Sequence, residues 1–119
     1  MPKKVLLCVD DERANLQIRK MLLEREGYEV LTAGDGDTGL DIFDKQSVDL
    51  VILDYRMPEP NGGIVANRMR ASHPDVPIIM LSAYLHPPEE VNGVVDAYIT
   101  KGEHPRLLLD RIRELLKPT

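Results

Sequence analysis

Short runs of consecutive apolar residues constrain the fold of this chain more than any other feature. Residues 5–9, 50–53 and 78–81 read VLLCV, LVIL and IIML, with no polar side chain except a cysteine in any of them. A strand that is apolar at every position has both faces buried, which is typical of a parallel sheet covered by helices. The chain is therefore predicted to be an α/β protein with parallel central strands.

The remaining apolar pattern predicts two more strands and the helices that connect the five. The strands are predicted at 28–33 and 97–101, and the helices at 14–26, 38–46, 64–72 and 107–116, with a short one at 89–92. Residues 34–37 are predicted to form a turn. The apolar side of the first helix is predicted to consist of Ala14, Ile18, Met21, Leu22 and Arg25. Crossovers between parallel strands are right-handed, so helices are expected on both faces of the sheet.

Length and charge narrow the class of protein. A chain of 119 residues, 43% hydrophobic and 29% charged, fits one globular domain, here 1–119. The formal net charge of −5 argues against direct contact with nucleic acid, because phosphate binding needs clusters of Lys and Arg. The single cysteine, Cys8, excludes an internal disulfide. No segment approaches the roughly 20 apolar residues that span a bilayer, so we expect a cytoplasmic protein without a membrane partner.

Polar side chains stand at the carboxyl ends of four predicted strands. Asp10 and Asp11 follow the first strand, Asp54 ends the third, Ser82 ends the fourth, and Lys101 ends the fifth. Ligands of open α/β sheets bind beyond these ends. Three carboxylates without a nearby His or Cys suit Mg²⁺, and an aspartate with a hydroxyl and an ammonium group suits phosphoryl transfer. Taken alone, Asp54 would be interpreted as a strand cap or the start of an Asx-turn. For Lys101, the acidic cluster disfavours the alternative of a solvated charge at the strand end.

These residues carry a resemblance to a known family. The matching segments are Cys8-Val9-Asp10-Asp11-Glu12, Asp54-Tyr55-Arg56-Met57-Pro58 followed by Gly62-Gly63, Leu81-Ser82-Ala83, and Tyr98-Ile99-Thr100-Lys101. Over essentially its whole length the chain resembles the receiver domain of bacterial two-component response regulators. The resemblance implies a flavodoxin-like (βα)5 fold, with strand order 2-1-3-4-5 and helices on both faces.

The resemblance also implies roles for individual residues. Asp54 would accept a phosphoryl group from a sensor histidine kinase or a phosphotransfer protein. The ligands of Mg²⁺ would be Asp11, Asp54 and the backbone carbonyl of Arg56, with Asp10 assisting through water. Ser82 and Lys101 would bind the phosphoryl oxygens.

Three further positions are implied to control the switch and its lifetime. Tyr98 matches the aromatic residue that rotates inward on activation, although it also fits an ordinary half-buried strand residue. Arg56 and Tyr84 occupy the positions that tune the lifetime of the acyl phosphate. A bulky Tyr84 would obstruct the attacking water, which predicts a long-lived phosphoaspartate.

The sequence departs from the family pattern in three places. Gly102 stands where proline usually follows the lysine, so either glycine takes a different backbone path or the Lys101 ammonium lies elsewhere. The interval between Ser82 and Lys101 is short, which predicts a fourth helix of only 89–92. Pro60 stiffens the loop after Asp54. We therefore expect the chain not to signal through a conventional fourth-helix dimer face.

The predicted function is a phosphorylation-dependent signalling switch rather than an enzyme acting on other substrates. Two alternatives are a pseudo-receiver that binds partners without being phosphorylated, and a Mg²⁺-dependent phosphatase with an aspartyl nucleophile. The phosphatase is disfavoured because Arg56 stands where such enzymes place a second acid. The output would be an effector domain or a downstream protein, with the chain monomeric or dimerising on phosphorylation. Residues 117–119, including Pro118 just past the last helix, would suit the start of a linker or a natural end.

Overall fold

The computed structural model describes residues 2–117, so Pro118 and Thr119 lie outside the described part. The strands are β1 (Val5–Val9), β2 (Glu29–Ala33), β3 (Leu50–Asp54), β4 (Ile78–Ser82) and β5 (Ala97–Thr100). The α-helices are α1 (Arg13–Arg25), α2 (Gly36–Lys45), α3 (Gly62–Ser72) and α4 (Pro105–Leu116). A 3₁₀ turn at Glu89–Val91 lies between β4 and β5.

The five strands form one parallel sheet in the order β2-β1-β3-β4-β5. Every residue of β3 and β4 is buried, which confirms the prediction from their unbroken apolar sequence. One core lies between the sheet and α1 and α4, where Leu23 and Ile112 are fully buried. The other lies under α2, α3 and the 3₁₀ turn and includes Phe43 and Met69. The flavodoxin-like architecture and its strand order are thus confirmed.

The predicted inward side of α1 is wrong. Ile18 and Met21 are 67% and 68% exposed, whereas Leu16 and Leu23 are buried against the sheet. Leu16 and Leu23 lie two helical turns apart on one side of the helix, with Arg19 between them. The sequence pattern misled because apolar residues occur on both sides of this helix, and only packing on the sheet selects one of them.

Three helices begin earlier than their apolar pattern predicts, because capping side chains extend them. Asp35 accepts a hydrogen bond from the Thr38 amide at 2.7 Å, so α2 begins inside the predicted 34–37 turn. Asn61 accepts one from the Ile64 amide at 3.1 Å and opens α3. The side chain of His104 caps α4 in the same manner.

The connection between β4 and β5 contains only the 3₁₀ turn at Glu89–Val91, which matches the predicted short fourth helix to within one residue. Arg70 of α3 holds this connection in place. Its Nε donates to the carbonyl of Val94 at 2.9 Å, and its Nη2 lies 2.5 Å from Asp96. Asp96 also accepts a hydrogen bond from the amide of Ile78 at 2.7 Å, which anchors the entry to β5 on β4.

Candidate functional site

The carboxyl edge of the sheet collects the buried polar side chains of the part of the chain that the structure describes. These are Asp10, Asp54 and Ser82. Asp10 follows β1 directly, whereas Asp54 and Ser82 are the last residues of β3 and β4. Asp11, next to Asp10, is exposed at the same edge. Since the strands are parallel and in register, all four side chains project from one end of the sheet.

The three carboxylates form a group that fits a hard divalent cation. One oxygen each from Asp10, Asp11 and Asp54 lies within 4.8 Å of the others. Oδ1 of Asp54 is buried and has no hydrogen-bond partner of good geometry among the described residues, although the Lys101 ammonium lies 2.7 Å away. An all-oxygen donor set with a buried, incompletely satisfied carboxylate suits Mg²⁺. The Arg56 side chain is exposed in the loop after β3, and a metal contact through its carbonyl stays a prediction.

Asp54 has an unusual electrostatic environment. Burial raises the pKa of its carboxyl group above the ordinary value, and the neighbouring charges of Asp10 and Asp11 raise it further. Lys101 opposes both effects by favouring the ionised form. The cost of ionising Asp54 is therefore reduced by one lysine and increased by two acids.

Gly102, directly after Lys101, adopts a backbone conformation that favours glycine. Its φ angle is +98°, in the left-handed region that favours glycine. Within residues 2–117 the Glu59–Pro60 peptide bond is the only cis bond, so the bond between Lys101 and Gly102 is trans. Of the two alternatives predicted for Gly102, the first holds: the glycine takes a different backbone path. The Lys101 ammonium still lies against Asp54.

Two glycines allow close packing around the loop after β3, one against the end of the sheet and the other at the start of α2. A Cβ atom on Gly62 would overlap the carbonyl oxygen of Asp54 and lie 2.6 Å from the Cα of Tyr55. A Cβ atom on Gly36 would lie 2.7 Å from the carbonyl oxygen of Pro60. Pro60 therefore packs directly on the start of α2, and the loop beside Asp54 has little room to move.

Ser82 and Tyr98 are connected through the loop that follows β4. The Ser82 hydroxyl oxygen accepts a hydrogen bond from the amide of Tyr84 at 3.1 Å. The Tyr98 hydroxyl donates to the carbonyl of Tyr84 at 2.7 Å and to that of His86 at 3.3 Å. Both predicted switch residues therefore contact Tyr84, one through its amide and the other through its carbonyl.

Arg19 belongs to the site although sequence reasoning missed it. Its Nη1 lies 3.5 Å from Oδ2 of Asp10, and the other Asp10 oxygen accepts a hydrogen bond from the Glu12 amide at 2.9 Å. Helical spacing places Arg19 on the same side of α1 as Leu16 and Leu23. Arg19 would therefore have been predicted to face the site if those two leucines had been recognised as the inward side of the helix.

Glu90 is a second residue of the site that no sequence pattern indicated. Its carboxylate accepts a hydrogen bond from the Tyr55 hydroxyl, and this contact is the main cause that raises the pKa of Tyr55 to about 12. The Glu90 carbonyl also accepts from the side-chain amide of Asn67 at 3.1 Å. A side chain at Gly63 would collide with this carboxylate. Hydrogen bonds therefore connect the 3₁₀ turn both to α3 and to Tyr55, the residue after Asp54.

Comparisons with known proteins agree with this geometry. Residues 6–113 match the family model of the response regulator receiver domain. A probable transcriptional regulator, ycf27 of Cyanophora paradoxa, is 40% identical over 98% of the chain and 50% of its own length. The response regulator TrrA of Thermotoga maritima, solved in complex with Mg²⁺-BeF, is 36% identical with a TM-score of 0.90, covering 95% of this chain and 99% of its own. TrrA solved in complex with the histidine kinase ThkA gives 36% identity and a TM-score of 0.89, covering 96% and 99%.

The chain therefore belongs to the response regulator receiver domain family, which makes it a signalling domain of the two-component type. It spans about half the length of the curated relatives that it matches. None of the helices described within residues 2–117 is long and apolar enough to cross a membrane.

The raised pKa of Asp54 predicts a dependence of stability on pH. The folded protein holds this proton to a higher pH than the unfolded chain does. Ionisation of Asp54 therefore costs stability above the folded-state pKa, and the cost disappears as the pH falls through the interval between the two values. We expect Asp54→Asn to raise the melting temperature of the metal-free protein by a few degrees at about pH 7 and to lose this advantage towards about pH 4.

The measurement is thermal unfolding in the presence of a chelator over a series of pH values. Asp44→Asn removes an exposed carboxylate from α2 and should leave the melting temperature close to that of the wild type. An Asp54→Asn protein no more stable than the wild type at neutral pH would contradict the prediction.

Proposed function

We propose that this chain is a phosphorylation-dependent switch, a receiver domain in which Asp54 accepts a phosphoryl group from a histidine kinase or a phosphotransfer protein. The observation that carries the proposal is the buried Asp54 carboxylate, which lies within 4.8 Å of two further carboxylates and 2.7 Å from Lys101. Such a site combines a nucleophile with the charges that a transferring phosphoryl group needs. The kinase complex known for TrrA supports a partner of this class.

In the proposed reaction, a carboxylate oxygen of Asp54 attacks the phosphorus of a phosphohistidine. The phosphorus–nitrogen bond breaks, its electrons return to the imidazole, and an acyl phosphate remains on Asp54. Lys101 and Ser82 then bind phosphoryl oxygens. Asp10, Asp11, Asp54 and the carbonyl of Arg56 would hold Mg²⁺, which when bound neutralises charge on the transferring group.

The proposed output begins with a change of partner at Ser82. Its hydroxyl oxygen accepts a hydrogen bond from the Tyr84 amide. A phosphoryl oxygen on Asp54 would draw this hydroxyl away, and the Tyr98 hydroxyl would release the carbonyl of Tyr84 as the ring turns inward. The result is a population shift in the loop after β4 and in the exposed side of β5. We place the protein in the cytoplasm, with an effector domain or a separate downstream protein as its output.

The decisive experiment is incubation with Mg²⁺ and acetyl phosphate, followed by intact-mass measurement. We expect the wild type and the Asp44→Ala control to gain the mass of one phosphoryl group, and Asp54→Ala to gain none. Absence of a gain in the wild type, with Mg²⁺ binding shown independently, would contradict the proposal and favour a pseudo-receiver.

Tyr84 is expected to prolong the lifetime of the phosphorylated state. It is 49% exposed, and its ring lies edge-to-face with Tyr55, at a centroid distance of 6.1 Å. A ring in this position would hinder the water that attacks the acyl phosphate in line, and Arg56 would be the second residue that tunes this lifetime. We expect Tyr84→Ala to accelerate loss of the phosphoryl group severalfold, measured as the decay of the mass adduct after the phosphodonor is removed.

Leu85 offers a matched control, because it is the next residue in the same loop and its side chain is also exposed. Leu85→Ala should decay at the wild-type rate. Equal decay rates for Tyr84→Ala and the wild type would refute a role of Tyr84 in the lifetime.

The short crossover predicts that phosphorylation does not create a dimer on residues 89–98. A conventional helical face is replaced there by the 3₁₀ turn, and Glu90 is occupied by Tyr55 and Asn67. Small-angle X-ray scattering with and without beryllofluoride should give the same molecular mass for the wild type. A mass that doubles on addition of beryllofluoride, and that substitutions within 89–98 restore to the monomer value, would contradict this expectation.

A further inference from the structure

Arg19 forms an ion pair in the interior of the site that the proposed reaction does not use. Its side chain is only 13% exposed, and the carboxylate that it contacts, Asp10, is fully buried. The second oxygen of Asp10 accepts the Glu12 amide at 2.9 Å. Both oxygens of Asp10 are therefore already in contact with positive or partly positive groups of the chain itself.

The arginine changes the charge of the whole acidic cluster. Within the described residues, the two ion pairs that reach the three carboxylates come from Arg19 and Lys101. Each buried carboxylate has its own cation, whereas the exposed Asp11 forms no ion pair in the described part of the chain. Three carboxylates and two cations leave one net negative charge, and without Arg19 the cluster would carry two.

We propose that Arg19 is a positioning residue that supplies a permanent positive charge to this cluster, so that it weakens binding of a divalent cation and strengthens binding of the phosphoryl anion. The proposal rests on the proposed function of Asp54. The Arg19 guanidinium repels a divalent cation and attracts a phosphoryl anion at the same edge, and burial limits the screening of both interactions by solvent. Its effects on the affinities for these two ligands therefore have opposite signs.

The opposite signs separate this role from a purely structural one. If Arg19 only filled space between α1 and the sheet, its loss would disturb the position of Asp10 and weaken both kinds of ligand together. If its charge matters, its loss tightens one ligand and loosens the other. A substitution that removes the charge but keeps a polar side chain with hydrogen-bond donors is then informative, and Arg19→Gln provides it.

The first measurement is titration of Mg²⁺ into the phosphoryl-free protein by calorimetry. We expect Arg19→Gln and Arg19→Leu to bind Mg²⁺ about three- to tenfold more tightly than the wild type, the change expected on removing one partly screened like charge. Arg19→Lys keeps the charge and should restore the wild-type affinity. Arg25→Leu removes an exposed arginine from the last turn of the same helix and should also bind Mg²⁺ as the wild type does.

The second measurement is titration of beryllofluoride, an analogue of the phosphoryl group, at a Mg²⁺ concentration that saturates every variant. Here Arg19→Gln and Arg19→Leu should bind about three- to tenfold more weakly than the wild type. Chemical shifts of backbone amides report both binding and folding, so that an unfolded Arg19→Leu protein is recognised and the conclusion is drawn from Arg19→Gln.

Unchanged or weaker Mg²⁺ binding by folded Arg19→Gln would overturn the inference, as would a parallel weakening of both ligands. The metal titration does not depend on phosphorylation. If the wild type accepted no phosphoryl group on Asp54, the proposed function would fail, while the effect of Arg19 on Mg²⁺ affinity would still be decided by the calorimetry.

Discussion

Repulsion among three carboxylates at one edge of the sheet is the constraint on which the arrangement of this protein depends. Two of them are buried, where an unpaired charge is costly. Lys101 reaches Asp54 from the end of β5, and Arg19 reaches Asp10 from α1. The compensating charges thus come from two different elements of the fold. Because the compensation is incomplete, the cluster keeps a net negative charge, and its oxygen ligands fit a divalent cation.

Side-chain hydrogen bonds replace a helix in the connection between β4 and β5. Arg70 ties that connection to α3, and Glu90 ties it to the residue that follows Asp54. Tyr98 adds a hydrogen bond to the same loop. The 3₁₀ turn buries the side chain of Val91 in the core, and directional contacts of this kind add to its order. Two contacts link the carboxyl edge of the sheet to this connection: Tyr55, the residue after Asp54, donates to Glu90, and Ser82 accepts from the Tyr84 amide.

The sheet and the position of the site could be predicted from the sequence, because both follow from strong one-dimensional signals. Unbroken apolar runs identify strands that are buried on both faces, and parallel strands bring their carboxyl ends to one edge. Helix boundaries were harder to predict from the sequence. The side chains of Asp35, Asn61 and His104 act as caps, and a cap is a local hydrogen bond that an apolar pattern does not record. The inward side of α1 was predicted wrongly for a related reason, since Ile18 and Met21 are apolar and yet exposed.

By itself, the sequence determined the α/β class, the parallel sheet and the set of residues at its carboxyl edge. Burial of apolar strands is a property of consecutive residues, and the periodicity of the chain encodes it directly. Only the tertiary structure decided that Arg19 faces the acidic cluster, that Glu90 bonds to Tyr55, that Gly102 has a positive φ, and that Lys101 lies against Asp54. Each of these joins residues distant in the chain or depends on a backbone angle, and such geometry is fixed only when the helices pack on the sheet.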